Sequence, residues 1–392
     1  MKNRMSRILA LLLALALLSG CNSNKVPKPT VWGRFHEPVK AEELPDDSGV
    51  DEIHVLWKKN IGVGVKSGYA RLVPAFAGGD VFVASRDGNV MRLDAESGST
   101  IWRKKLDSPI SFAVGLGWNL AVVGHDNGNV TALSVADGQT AWTVSVQRQI
   151  SAVPAAVSEA VVIRTSDGRI IGLDPASGEQ RWLLETELPG LTIQGDSMPL
   201  LGQDYMLVGL SNGKLMVGNS VTGRLFWEAD IGVIGGRNDI ERINDVDSTP
   251  MIRGTTAYAA AYQGYVKALS INSGDTLWQT EYSTRLPMAL GPNRLFVTSE
   301  LGEVAALEAV DGTIAWRQEI FRGHGMSSPV SVDGRVLIGD AEGRLHSLDP
   351  LSGDLVDTRN IVSGAVLAIV ENGRLGAVLS SEGELALVDV RN

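Results

Sequence analysis

The sequence predicts an all-β chain, an eight-bladed β-propeller of four-stranded antiparallel blades, and three observations carry that expectation. A turn glycine recurs eight times, at Gly88, Gly128, Gly168, Gly213, Gly264, Gly302, Gly343 and Gly383. Ten residues after each of the first seven stands another glycine: Gly98, Gly138, Gly178, Gly223, Gly274, Gly312 and Gly353. Four residues further stand Trp102, Trp142, Trp182, Trp227, Trp278 and Trp316, with Asp357 at that place in the seventh copy. A sustained period of about 40 residues marks a repeat architecture, and four short strands per unit is a propeller blade. A β-sandwich has no reason to keep a constant glycine-to-tryptophan interval. A solenoid has shorter units and exposed ends that need caps.

Within a unit the strands follow from local chemistry. Residues 81–85 are β-branched and apolar. Asp87-Gly88 is a hairpin turn, where glycine tolerates positive φ. Residues 90–94 alternate apolar and polar, the period-2 signal of a half-buried strand. Ser97-Gly98 is the next turn, and 100–104 is the outer strand carrying Trp102. Pro74, Pro154, Pro199, Pro250 and Pro329 each lie 14 residues before a turn glycine, and Pro287 lies 15 before. A proline there marks the start of an innermost strand, where a missing N–H is tolerated. The eighth copy ends before its tryptophan. Trp57, 45 residues before Trp102 with no glycine unit upstream, is the candidate to replace it. The ring is then closed by pairing the N-terminal strand with the C-terminal ones, which covers edges that invite aggregation.

The N-terminal residues are of another kind. Lys2, Arg4 and Arg7 precede an apolar run at 8–18, then Leu18-Ser19-Gly20-Cys21. A basic start, a short apolar core and small residues make a signal peptide over 1–20. The run is too short to span a bilayer alone. Leu-Ser-Gly-Cys resembles the bacterial lipobox, which implies acylation (palmitate) of Cys21. Asn22, rather than aspartate, implies sorting to the outer membrane on its periplasmic face. With its one cysteine used as an anchor, the chain has no disulfide, and packing and ring closure hold the fold. Residues 21–50 are rich in proline and charge and read as a lipidated tether. The propeller occupies 51–392.

Composition limits the function. The net charge of −10 argues against a nucleic-acid partner, which needs a basic face. The five histidines show no metal-ligand spacing. There is no G-x-S-x-G element. No catalytic or metal site is therefore expected, and no cofactor. Function is expected where the repeat is broken. The extra residues fall in two neighbouring connections, 187–199 and 230–250, which both run from an outer strand to the next inner strand and so emerge on one face. Leu191 and Ile193 in the first, beside Arg237, Asp239, Glu241, Arg242, Asp245 and Asp247 in the second, describe apolar anchors with a charged rim. Asp245-Val246-Asp247 lacks the glycine and bidentate glutamate of a calcium loop.

The segments LDAESGSTIW at 93–102 and LDPASGEQRW at 173–182 resemble the tryptophan-docking repeat of the pyrroloquinoline-quinone dehydrogenase superfamily of eight-bladed propellers. With the lipobox, a single propeller and DVDSTP at 245–250, the whole chain resembles the lipoprotein scaffold family of the outer-membrane β-barrel assembly (BAM) machine. That resemblance implies a non-catalytic subunit. Its partners would be the periplasmic POTRA domains of BamA, other subunits of the machine and unfolded outer-membrane protein strands, with its acyl chains in the membrane. By motif position the family's BamA contacts fall on Leu191, Ile193 and Gln194 and on Asp245 and Asp247. Isoleucine and glutamine stand where the family has leucine and arginine, and Arg237 and Arg242 are the candidates to supply the missing charge. The rival readings are a quinone-dependent dehydrogenase, which usually carries a vicinal cysteine pair absent here, and a periplasmic ligand-binding propeller.

Overall fold

The computed structural model describes residues 41–44, 50–65, 70–190, 197–232 and 244–391, all within the unit His36–Asn392. Among the described residues every regular element is a strand. Eight antiparallel sheets follow one another along the chain as the blades of a propeller. Blade one runs from inside outward through Ala75–Ala77, Asp80–Ala84, Asn89–Asp94 and Thr100–Lys105. Blade two gains a fifth strand, because Arg71–Leu72 pairs in parallel with its innermost strand Ile110–Gly117.

The prolines set where inner strands begin. Pro74, Pro154, Pro199, Pro250 and Pro329 each immediately precede an innermost strand of two or three residues. In blades two and eight the residue 14 before the turn glycine is Val114 or Ile369 instead of proline, and their inner strands run to eight and seven residues, Ile110–Gly117 and Val366–Asn372. The middle strands are buried on both faces, as Asp80–Ala84 and Leu120–His125 show, because each blade is covered by its two neighbours. The alternation expected at 90–94 is accordingly weak, with Val90, Met91 and Leu93 buried and Arg92 and Asp94 only partly exposed. Clear alternation belongs to the outer strands.

The tryptophans join neighbouring blades. Each indole lies on the second turn glycine of the next blade, so closely that a Cβ on Gly138, Gly178 or Gly223 would lie 2.7 Å from the ring of Trp102, Trp142 or Trp182. Each indole Nε1–H also donates to a backbone carbonyl there: Trp102 to Val135 at 2.9 Å, Trp142 to Pro175 at 2.8 Å, Trp182 to Ser220 at 3.0 Å. Trp227, Trp278 and Trp316 repeat the bond to Ile271, Ala309 and Pro350. Every outer strand carries a β-bulge at the residue before the tryptophan position. Thr100 and Trp102, for example, oppose Leu93 and Arg92 and leave Ile101 unpaired. A bulge bends the strand and re-aims its side chains. Here it turns the indole onto the next blade, a device that composition and spacing do not reveal.

Ring closure is as expected. Ile53–Asn60 pairs antiparallel with Glu384–Val390, so the last blade is built from both ends of the propeller. Trp57 takes the eighth indole position, docking on Gly98 and donating to the Ala95 carbonyl at 2.9 Å. Upstream, Leu44 is buried against Phe296 and Phe321, so part of the stretch read as a tether packs into the core.

Blade seven holds a buried titratable pair. His346 is fully buried, with Nε2 3.3 Å from Asp340 Oδ2 and Nδ1 3.0 Å from Thr358 Oγ1. Burial pushes its pKa below the ordinary imidazole value, against the pull of Asp340. Burial alone would raise Asp340, but bonds from His346 and Arg344 hold it at about 2. His125, in blade two, is also pushed down by burial. Unfolded imidazoles protonate near 6.5, at roughly the model-peptide value. The unfolded chain therefore binds more protons as the pH drops through that value. The stability from the neutral buried rings is present above it and is lost as the pH falls toward the folded values. Melting temperature is expected to fall between about pH 7.5 and 5.5. His346→Gln, which keeps a donor and an acceptor but cannot titrate, is expected to fall less steeply. Parallel slopes in a thermal-melt series would rule out His346 as a source.

Candidate docking site

The ends of the two long connections meet at blade four. Its second strand, Met206–Gly209, finishes at a glycine that both connections approach. A Cβ on Gly209 would lie 2.3 Å from the Val246 carbonyl oxygen and 2.9 Å from Ser197 Oγ. Ser197 closes the first connection and Val246 lies near the end of the second, so only glycine lets the two pack there. Arg164, from blade three, donates to the Ser197 carbonyl at 3.2 Å and to its hydroxyl at 3.1 Å. The Val246 N–H donates to Leu210, and the Asp245 carbonyl accepts from Tyr262 at 2.9 Å.

The second connection also alters blade five. Seven of the eight first-turn glycines have positive φ, but at this turn Gln263 takes it, at 47°. Gly264 instead forms a bridge with Gly232 at the start of the connection. Its expected role as the left-handed turn residue is thus corrected. It is the place where two backbones meet, and a Cβ there would lie 3.1 Å from the Gly232 Cα.

Leu191, Ile193, Gln194, Arg237, Asp239, Glu241 and Arg242 lie outside the described residues, as does Cys21. Asp245 and Asp247 are described, and both are buried, at 0 % and 2 % exposure. They were expected on a charged rim. They are buried instead, with Val246 between them in the core of blades four and five. Asp247 acts electrostatically on Arg71: burial pushes the guanidinium's pKa down, and the carboxylate opposes it. Arg71 lies in the strand bonded to blade two, so this attraction crosses toward the propeller axis. An axial cavity of about 620 Å³ opens there, lined by Arg71, Met198, Met251, Met288, Leu367 and Glu371 among others. Its walls include inner strands that the prolines begin and the inner strand of blade eight, Val366–Asn372. Among the described residues no cluster of histidine, cysteine or carboxylate side chains is arranged to hold a metal.

The family profile described as "Outer membrane protein assembly factor BamB" matches residues 50–116, 110–318 and 263–392. The chain belongs to the BamB family. A relative from Pseudomonas aeruginosa, the outer membrane protein assembly factor BamB, is 42% identical over 358 residues, 91% of this chain and 92% of that one. The crystal structure of BamB from Moraxella catarrhalis superposes with a TM-score of 0.79 at 24% identity, covering 86% of this chain and 99% of that one. Quinohemoprotein alcohol dehydrogenase from Comamonas testosteroni reaches a TM-score of 0.68 at 13% identity, over 89% of this chain and 78% of that one. The dehydrogenase shares the propeller and nothing more specific. BamB family membership makes the protein an outer membrane protein assembly factor and not an enzyme.

Proposed function

We propose that the protein is a lipid-anchored scaffold, held to the periplasmic face of the outer membrane through Cys21. In this reading its two long connections bind the POTRA domains of BamA and so assist insertion of outer-membrane β-barrels. The observation that carries this reading is the meeting of the connections at Gly209, in a chain whose other blades keep the repeat. Loops that depart from a rigid repeat are where binding concentrates. Leu191, Ile193, Gln194, Arg237 and Arg242 supply the contact. Asp245 and Asp247, being buried, act by fixing the conformation of the second connection. This differs from a direct salt bridge, and it changes the variant to make. Reversing a buried carboxylate disturbs the fold as well as the interface.

Affinity purification from detergent-solubilised envelopes tests it. The wild-type protein is expected to bring down a large outer-membrane barrel protein with periplasmic domains. Leu191→Glu with Ile193→Glu is expected to recover roughly a tenth or less, since apolar anchors commonly supply 2 kcal/mol or more, with an unchanged melting temperature. In the same preparation Cys21→Ser is expected to leave the membrane fraction. Equal recovery from the loop variant would remove the docking assignment, and no barrel partner from either protein would remove the scaffold reading.

A further inference from the structure

Among the described residues the eight outer strands occupy equivalent places, each last in its sheet with no strand on its outer side. Such an edge presents unpaired N–H and C=O groups, and proteins ordinarily blunt it with charge. Seven of the eight do so. Blade one has Arg103, Lys104 and Lys105, blade eight has Lys58 and Lys59, and blades three to seven each carry at least one charged side chain. Blade two does not. Its outer strand, Thr140–Ser145, reads TAWTVS, with Thr140, Ala141, Thr143 and Ser145 exposed and no charged residue. Threonine and valine favour extended backbone.

A second feature lies beside that edge. A groove of about 410 Å³ runs between blades two and three, lined by Val144, Ser145, Gln147 and Arg148 on one side and Arg169 and Glu179 on the other. Two of its charges are already paired: Arg148 bonds Asp167 at 2.8 Å, and Arg169 bonds Glu185 at 3.2 Å. The groove is polar without demanding a charged occupant. In strand addition the main chain supplies affinity, and pockets for alternate side chains supply selectivity.

We propose that the outer edge of blade two binds an extended, uncharged segment with small polar side chains at every second position, adding it as a further strand. Its polar side chains enter the groove, and its apolar ones face away. That alternation is the pattern of a membrane-spanning β-strand. The partner is therefore an unfolded barrel strand, which rests on the reading of the protein as a barrel-assembly scaffold. An edge that holds such a strand by its backbone does so without regard to its exact sequence, as a protein serving many barrels requires.

The test uses the full-length protein in mild detergent and a peptide alternating threonine and valine over roughly ten residues, the length of a membrane-spanning strand. Hydrogen exchange is expected to slow roughly tenfold or more in Thr140–Ser145 and not in the other outer strands. Thr143→Arg is the matching variant. It installs the blade-one residue, and Arg103 there reaches Asn89 at 2.8 Å, a place that Asn129 holds in blade two. The variant should fold and bind the peptide roughly tenfold more weakly or worse. A peptide N-methylated along one edge should not bind. Protection spread evenly over the outer strands, no protection, or unchanged binding by Thr143→Arg or of the methylated peptide would each overturn the proposal. The Leu191→Glu, Ile193→Glu protein should bind the peptide as wild type does. Peptide binding at blade two without any co-purified barrel partner would keep this site and remove the scaffold reading alone.

Discussion

Asp357→Ala is expected to destabilise the propeller by about 2–6 kcal/mol, the cost of leaving two buried N–H donors unmatched at about 1–3 kcal/mol each. The opening is expected to begin at the strand Ile53–Asn60. Asp357 stands where the seven other blades have tryptophan, and the reason lies in the chain's connectivity. Elsewhere the indole docks on a turn that joins the third and outer strands of the next blade. In blade eight those strands, Glu384–Val390 and Ile53–Asn60, come from opposite ends of the propeller, so no turn exists to receive an indole. What arrives instead is the start of a strand with unpaired N–H groups. The buried Asp357 Oδ2 accepts from the N–H groups of Glu52 and Ile53, both at 3.0 Å, while Arg359 Nε donates to Oδ1 at 3.1 Å.

Two further pairs close the same junction. Arg335 grips Glu52 with two bonds of 2.7 Å, and its guanidinium lowers the Glu52 pKa. Arg359 also reaches Asp51 at 3.2 Å. Loss of the Asp357 carboxylate leaves buried donors unmatched, each costing about 1–3 kcal/mol. Asp357→Asn keeps the size and one acceptor oxygen and should lose about 1–2 kcal/mol. Urea unfolding gives the total, and native-state hydrogen exchange gives the place. If Asp357→Ala unfolds at the wild-type midpoint with Ile53–Asn60 still protected, Asp357 does not latch the ring.

The fold was legible because its period is written in turn chemistry. The glycine, tryptophan and proline positions each respond to a backbone demand that few residues meet. Even the closing strand was visible, since Trp57 had no unit of its own. The bulges were hidden, because an extra residue in one strand leaves no mark on the spacing between glycines. The latch was hidden too. Asp357 reads as a missing tryptophan until Glu52 and Ile53 are seen beside it. At the candidate site the loops show in their length, but the burial does not: Asp245 and Asp247 look like rim charges in a polar run, yet Val246 between them enters the core and both are buried with it. Gly264 is hidden for the reverse reason. It keeps the repeat's spacing while Gly232 gives it a different task. A repeat predicts the average unit well, and it misleads where a unit has been altered to serve a neighbour.

The interblade joints should behave as coupled pairs rather than as single residues. Trp142→Ala is expected to lose about 3–5 kcal/mol, the cost of emptying a buried aromatic site. The side chain is 7 % exposed, and its Nε1–H bond to Pro175 is lost as well. Trp142→Phe should lose less, since the ring still packs while the carbonyl is left unmatched, at about 1–3 kcal/mol. Gly178→Ala attacks the same joint from the other side. Its φ is 74°, and the added Cβ would lie 2.7 Å from the indole, so strain and overlap act together. Once the indole is gone its overlap disappears, and the backbone strain and the 2.9 Å approach to Val144 Cγ1 remain. The double variant should therefore be more stable than the sum of the single losses predicts, by about 1–3 kcal/mol, within the range for residues in contact. A double-mutant cycle by urea unfolding measures that term directly. Additive losses would mean that Trp142 and Gly178 stabilise their own blades separately. A positive coupling, repeated for Trp182 with Gly223, would show that stability lies largely in joints between neighbouring blades, as expected of an array in which each unit touches only those beside it.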